Sequence, residues 1–181
     1  MYTAKKLWFL CLSSLLLFMG MKCKKEYPFP DETQVGMNTF GCKVDGKVWV
    51  PGGRSFHGPE LESSYNIDGA RRAFSLHVVD NSSYDFTVIS IGGDSIELVE
   101  NSVYPLVKKG VGNYFGEYVL TTENSYTPFI TSQISQGELW IKKFDIMNKI
   151  VSGTFWFTAI DPISGKKVEI TDGRFDMKFN Q

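Results

Sequence analysis

Strict alternation of apolar and polar residues over the stretch 149–160 restricts the fold of this chain more than any other feature. An alternation with a period of two is typical of a half-buried β-strand, because successive side chains point to opposite faces of a sheet. β-branched and aromatic residues, which favour strands, dominate the stretch. One face holds Val151, Gly153, Phe155, Phe157 and Ala159, and the other holds Ser152, Thr154, Trp156 and Thr158.

Shorter alternations recur along the chain and are separated by turn residues. Stretches 39–44 and 47–50 flank Asp45-Gly46, a pair that favours a type I′ hairpin turn, and stretches 73–80 and 84–91 predict a second hairpin. Further strands are predicted at 114–121, 138–144, 167–171 and 174–179, and no segment after residue 24 has helical spacing. The pattern predicts an all-β fold, either an antiparallel sandwich or a partly open barrel.

The first 22 residues have the composition of an export signal. Lys5 and Lys6 precede a charge-free apolar run of 15 residues, 7–21, which fits a secretory signal better than a membrane span of roughly 20 residues. We expect residues 1–22 to be a signal peptide, 23–37 to be a short extended linker rich in proline and polar residues, and 38–181 to be a single all-β domain.

The residue after the signal is Cys23, within Lys22-Cys23-Lys24-Lys25-Glu26. In this respect the chain resembles bacterial lipoproteins, whose signal ends just before a cysteine that is then acylated. The resemblance implies a lipid on Cys23, export, and anchorage in the outer membrane, on its periplasmic or surface face. The alternative is an uncleaved anchor in which Cys23 is an ordinary thiol.

Two further stretches resemble a family of uncharacterised Bacteroidetes lipoproteins. The first, residues 38–51, contains a strand, a Val-Asp-Gly turn at 44–46 and an aromatic residue, Trp49. The second contains Ser-Gly-Thr-Phe at 152–155 and Thr-Asp-Gly-Arg-Phe at 171–175. The resemblance supports a secreted β-domain, and because the family has no assigned activity, it implies no chemistry.

Charge and cysteine content narrow the classes of function. The signal contains three lysines and no acid, so its removal changes the net charge from −1 to −4, and this mild acidity argues against a nucleic-acid partner. Cys42 is then the single thiol of the domain apart from Cys23, and we expect it to be buried rather than reactive.

No catalytic, cofactor or metal signature is assembled in the sequence. The two histidines, His57 and His77, belong to no metal-binding or hydrolase motif, and we expect His77 on the surface and His57 in a loop. The sequence contains acidic pairs of the kind that a glycoside hydrolase needs, but no feature of it marks one pair as catalytic. They are Glu60/Glu62, Asp94/Glu97 and Asp172/Asp176.

Aromatic residues make up 14% of the chain, and exposed ones can bind sugars or partners by stacking. Trp49, Trp140 and Trp156 are the candidate ligand-contact residues. We therefore expect a membrane-anchored, non-enzymatic binding or scaffolding domain with a glycan or protein partner. The alternatives are a loop-sited hydrolase acting on glycans and a carrier of an apolar ligand inside a barrel.

Overall fold

The computed structural model describes residues 29–53 and 60–181. Eleven strands lie within these residues and no helix does, so the prediction of an all-β fold is confirmed. In the same ranges there is accordingly no helix of a length and apolarity that would cross a membrane. The strands are β1 (Thr39–Val44), β2 (Lys47–Trp49), β3 (Glu60–Asp68), β4 (Arg71–Asp80), β5 (Phe86–Asp94), β6 (Ser102–Leu106), β7 (Tyr114–Thr122), β8 (Ser125–Ile130), β9 (Gly137–Asp145), β10 (Ile150–Ile160) and β11 (Lys167–Lys178).

The strands form one sheet in the order β2-β1-β11-β10-β9-β6-β7-β5-β4-β3, and β8 pairs with both β7 and β10. Neighbours are antiparallel except where Leu106 of β6 meets Tyr114 of β7. The edge strand β3 also pairs with the last residues of the chain. The Tyr65 N–H donates to Asn180 O, and the Asn180 N–H donates to Ser63 O, both at 2.8 Å. The sheet is thus partly ring-like, which is consistent with either form that the sequence left open.

Both predicted hairpins are present. β1 pairs with β2 across Asp45 and Gly46, whose φ angles of 49° and 77° are the positive values that a type I′ turn requires. β4 pairs with β5 from Ala73 opposite Asp94 to Asp80 opposite Thr87.

The alternation along β10 places one face in the core. Val151, Phe155, Phe157 and Ala159 are buried, whereas Trp156 is exposed. The Phe155 ring packs against three other phenylalanine rings, with centroid separations between 5.3 and 6.3 Å, inside the range favoured by aromatic pairs. These three are Phe40, Phe157 and Phe175. The buried side chains of this core run from Phe40 to Phe179.

Three strands, β3, β6 and β8, were not predicted from the sequence. β6 contains Pro105 and β8 contains Pro128, and proline removes a ladder hydrogen-bond donor, which argues against a strand when only the sequence is read. β3 buries only two of its side chains, Ser63 and Tyr65, so its sequence lacks the apolar alternation that predicts a strand. Pairing with neighbouring strands therefore stabilises β3, β6 and β8, although their own sequences favour a strand only weakly.

The last two predicted strands are one continuous strand, β11, with a bulge. Gly41 and Lys43 of β1 pair with Arg174 and Thr171, so that two residues of β11, Asp172 and Gly173, oppose one residue of β1. Asp172 has a φ of 52°, and a Cβ atom on Gly173 would lie 2.5 Å from the Phe155 ring. The bulge lets β11 continue where the sequence indicates a turn.

Candidate functional site

The outward faces of β9 and β10 carry two tryptophans. Leu139 and Ile141 of β9 point into the core, so Trp140 between them points outward, as Trp156 does on β10. Trp140 is 44% exposed and Trp156 is 45% exposed. A large aromatic side chain that remains half exposed on a sheet face offers a ring for contact with a ligand.

The strand register fixes the two tryptophans as diagonal neighbours. Thr154 of β10 lies directly opposite Trp140, and Trp156 lies opposite Glu138, two residue pairs further along the same two strands. Diagonal neighbours in an antiparallel pair are about 7–8 Å apart. The two indoles therefore form one aromatic surface across the β9–β10 pair.

Hydrogen bonding and charge orient both rings. The Trp156 indole Nε1 donates to Glu138 Oε2 at 3.2 Å, which ties the ring to the neighbouring strand. The Lys142 ammonium lies 4.6 Å from the centre of the Trp140 ring, within the range of a cation–π contact. Lys142 also forms an ion pair with Glu32 of the N-terminal segment. Both rings are thus held in place before any ligand arrives.

The bulge in β11 places charged groups beside the tryptophans. Thr154 has Arg174 as its partner on β11, so Val103, Trp140, Thr154 and Arg174 form a row across four strands. Asp172 forms a 2.8 Å ion pair with Lys43, and this hydrogen bond and charge lower the pKa of the Asp172 carboxyl below its ordinary value. The carboxylate is therefore ionised at neutral pH.

The N-terminal strap (residues 29–37) lies against Arg174 and contributes Glu32 to the lining of a cleft. The Arg174 guanidinium lies 4.3 Å from the centre of the Phe29 ring, and its Nη1 donates to the carbonyl of Pro30 at 3.2 Å. The result is an open cleft of about 400 Å³. Its lining comprises Glu32, Val103, Glu138, Trp140, Thr154, Phe155, Trp156, Asp172, Gly173 and Arg174.

Asp176 fastens the strap to the domain. Its carboxylate is buried and accepts hydrogen bonds from Thr33 Oγ1 at 2.6 Å, from Gly36 N at 2.7 Å and from the backbone N–H groups of Val35 and Met37. Burial raises the pKa of Asp176, but these four donors together outweigh burial, and the pKa is lowered overall. The segment expected to be an extended, solvated linker is therefore bound to β11 over residues 33–37.

The predicted site residues have different locations. Of the three candidate tryptophans, the structure brings Trp140 and Trp156 together, while Trp49 is buried and its indole donates to Thr87 Oγ1 at 2.9 Å. Cys42 is buried as expected, and burial raises the pKa of its thiol far above the ordinary value. His77 is exposed, with Nδ1 3.0 Å from Ser90 Oγ. Cys23 and His57 lie outside the described residues.

Three carboxylates of the acidic pairs, those of Asp94, Asp172 and Asp176, are engaged in other contacts. Asp94 is engaged by Arg71 at 2.7 and 2.8 Å, which lowers its pKa. Asp172 forms the ion pair with Lys43, and Asp176 binds the strap. The pKa of each carboxyl is lowered, whereas a general acid needs a raised pKa. Within residues 29–53 and 60–181, no three histidine, cysteine or carboxylate side chains are grouped as metal ligands.

Sequence reasoning missed Glu138, Arg174 and Glu32 as parts of this cleft. Glu138 and Arg174 lie in predicted strands, but only the register of four strands places them beside the tryptophans. Glu32 lies in the segment expected to be solvated. No family model matches this chain, and no curated protein or solved structure matches it either.

Proposed function

We propose that this protein is an exported, lipid-anchored lipoprotein whose β-domain binds carbohydrate through the Trp140–Trp156 face. The observation that carries the proposal is the pair of half-exposed indoles on adjacent strands, rimmed by ionised side chains. A sugar ring presents C–H groups on its faces and hydroxyl groups at its edge. The faces match aromatic rings, and the edge matches carboxylate and guanidinium groups.

The dimensions of the cleft favour a short oligosaccharide over a single sugar. Trp140 and Trp156 are diagonal neighbours, and such positions in a sheet are about 7–8 Å apart, so that a ligand contacting both indoles is longer than one pyranose ring. The row from Val103 to Arg174 crosses four strands, which at about 4.8 Å per strand spacing extends some 14 Å. Arg174 and Asp172 then lie where hydroxyl groups of a second or third sugar would be.

A protein partner fits this face less well. The centres of protein interfaces are depleted in charged residues, since burying charges costs free energy that imperfect pairing does not repay. Here Glu138, Asp172, Arg174 and Lys142 surround the rings directly. Sugar hydroxyl groups can replace water around these charges, whereas an apolar protein surface cannot.

The two alternatives have less support. A hydrolase would need an acid and a base on either side of the sugar. Glu138 and Asp172 both line the cleft, but Glu138 accepts the Trp156 indole N–H and Asp172 is paired with Lys43. A carrier would need an open apolar interior, whereas phenylalanine and tyrosine rings pack against one another in the core here.

A thermal-shift screen tests the binding proposal. The chain from Lys24 to Gln181, which retains every core residue, is heated with glycans, lipids, divalent metals and cell-wall fragments. A glycan at about 100 times its Kd adds roughly 2.7 kcal/mol and raises the midpoint by about 5–10 °C. A shift with glycans alone supports the proposal, and turnover of that glycan would instead favour the hydrolase. Shifts confined to lipids or metals would contradict the proposal.

The lipid anchor has a separate test. Cells expressing the full chain are labelled with palmitate and compared with cells expressing Cys23→Ala. We expect the palmitate label to be lost in the variant, while Cys42→Ala keeps it. Equal labelling of Cys23→Ala and the parent would show that Cys23 is an ordinary thiol.

A further inference from the structure

A second surface, away from the tryptophan cleft, lies where three connections meet at one end of the sheet. The β6–β7, β8–β9 and β10–β11 connections surround an open depression of about 540 Å³. Its floor and sides are largely apolar, and two lysines stand at its edge. The lining comprises Lys108, Lys109, Ile130, Thr131, Ser132, Gln133, Ile134, Ile160 and Pro162.

Two isoleucines project from the tips of these connections. Ile134 is 90% exposed, and Ile163, which follows Pro162, is 93% exposed. Ser132 and Ser135 bond to each other and hold the turn that carries Ile134. The Asp161 carboxylate accepts the Ile163 N–H at 2.9 Å and a hydrogen bond from Ser164 Oγ, which fixes the other turn. Both isoleucines therefore stand on ordered turns and contribute little to the core.

The end of the sheet that carries this depression is also rich in lysine. Lys108 and Lys109 lie in one connection, and Lys166 and Lys167 lie at the end of another. None of the four forms an ion pair with any residue that the structure describes. Asp161 is the single acid in the stretches 107–113, 131–136 and 161–167, and its carboxylate is already engaged by its own turn. Lys109 also lies 4.5 Å from the centre of the Phe115 ring. Within these three stretches four lysines outnumber one acid, so net positive charge surrounds the exposed apolar side chains.

We infer that this end of the domain, defined by Ile134, Ile163, Lys108 and Lys109, docks on an anionic phospholipid membrane. Apolar side chains that insert at the acyl boundary, with lysines level with the headgroups, are the pattern of interfacial membrane binding. The exposure of the isoleucines favours a membrane over a soluble lipid. A ligand lying in the depression would contact Ile134 but not Ile163, which is outside the lining, whereas a membrane surface covers both.

Vesicle co-sedimentation of the Lys24–Gln181 chain, which lacks the proposed lipid anchor, tests this inference independently of the anchor and of glycan binding. The vesicles are phosphatidylcholine alone or phosphatidylcholine mixed with phosphatidylglycerol. We expect binding to the mixed vesicles, weakened by added salt, and little binding to phosphatidylcholine. Sedimentation that is equal with both vesicles, or that salt does not change, would overturn the inference.

Two double variants of the surface and one matched control complete the test. Ile134→Ser with Ile163→Ser, and Lys108→Gln with Lys109→Gln, should each weaken partitioning by about tenfold or more. The control is Met147→Ser with Lys149→Gln in the exposed β9–β10 turn at the opposite end of the sheet, where Met147 is 87% exposed. The control should bind like the parent. Equal losses in the control and either surface variant, or parental binding by both surface variants, would contradict membrane docking.

Discussion

The Trp156 indole Nε1 donates to Glu138 Oε2 at 3.2 Å across the β9–β10 pair, so that a neighbouring carboxylate orients this exposed ring. The hydrogen bond restricts the rotation of the ring, and it places negative charge at the ring edge. Glu138 is therefore a positioning residue for the proposed glycan site.

Replacing Glu138 with alanine should weaken glycan binding more than it weakens the fold. The loss of the hydrogen bond frees the Trp156 ring, and we expect about a tenfold loss of affinity, which is the effect of about 1.4 kcal/mol. The midpoint of thermal unfolding should change little, because Glu138 is exposed. Glu138→Gln, which keeps an acceptor oxygen, should retain more of the affinity, and equal losses in both variants would show that charge rather than ring orientation matters.

Alanine substitution should lower the free energy of unfolding much more at Phe155 than at its neighbour on β10, Trp156. Phe155→Ala removes a buried ring that contacts three others, and we expect a loss of about 3–5 kcal/mol in the free energy of unfolding. Trp156→Ala should cost less than about 1 kcal/mol, since the ring is on the exposed face. Urea denaturation of both variants checks the difference. A larger loss for Trp156→Ala would contradict the assignment of the two faces.

Asp176 should make stability depend on pH. Its pKa is lower in the folded state than in the unfolded chain, so its contribution is complete above the unfolded value, near 4, and is lost as the pH falls through the folded value. Asp176→Asn should reduce the free energy of unfolding at pH 7 by about 2–4 kcal/mol, because the carboxylate accepts four hydrogen bonds. Chemical denaturation between pH 3 and pH 7 measures both effects.

The exposed Asp31 of the strap provides the control for Asp176. Asp31→Asn should leave the unfolding free energy at pH 7 within about 0.5 kcal/mol of the parent. If Asp176→Asn were equally mild, or if its stability fell with acid as steeply as that of the parent, the strap would not depend on this carboxylate.

The Cys42 thiol should be nearly inert in the folded protein. It is fully buried and its pKa is raised, so the reactive thiolate is scarce at neutral pH. In the Lys24–Gln181 chain, whose single cysteine is Cys42, we expect Ellman's reagent to react at the rate of unfolding, and to react rapidly once denaturant is added. Fast labelling under native conditions would contradict the burial of Cys42.

Local pattern predicted most of the core strands, and the reason is visible in β10. From Thr154 to Ile160 every second side chain enters one core, so alternation in the sequence reports burial directly there, whereas Ser152 is buried although the alternation assigns it to the other face. Pro105 and Pro128 concealed β6 and β8, because their pairing comes from neighbours distant in the sequence. The sequence predicts two strands separated at Asp172-Gly173, because an Asp-Gly pair favours a turn, whereas the structure has a bulge within one strand there.

The candidate site was only partly predictable for a related reason. Alternation indicates that Trp156 faces away from Phe155, but it cannot indicate whether a second layer covers that face. Trp140 meets Trp156 because Thr154 pairs with Trp140, and Arg174 joins them through the register of β11. Those registers depend on the bulge in β11 and on a second irregularity between Ser152 and Gly153 in the β9–β10 pairing, and no local pattern in the sequence specifies either.

A binding titration of the tryptophan face tests the central claim most directly. The glycan with the largest thermal shift is titrated, by intrinsic fluorescence and by calorimetry, into the parent chain, into Trp140→Ala with Trp156→Ala, and into Tyr126→Ala, which removes an exposed aromatic ring from β8. We predict that the tryptophan variant loses affinity by at least about thirtyfold while the tyrosine variant binds like the parent. Parental affinity in the tryptophan variant would contradict the account.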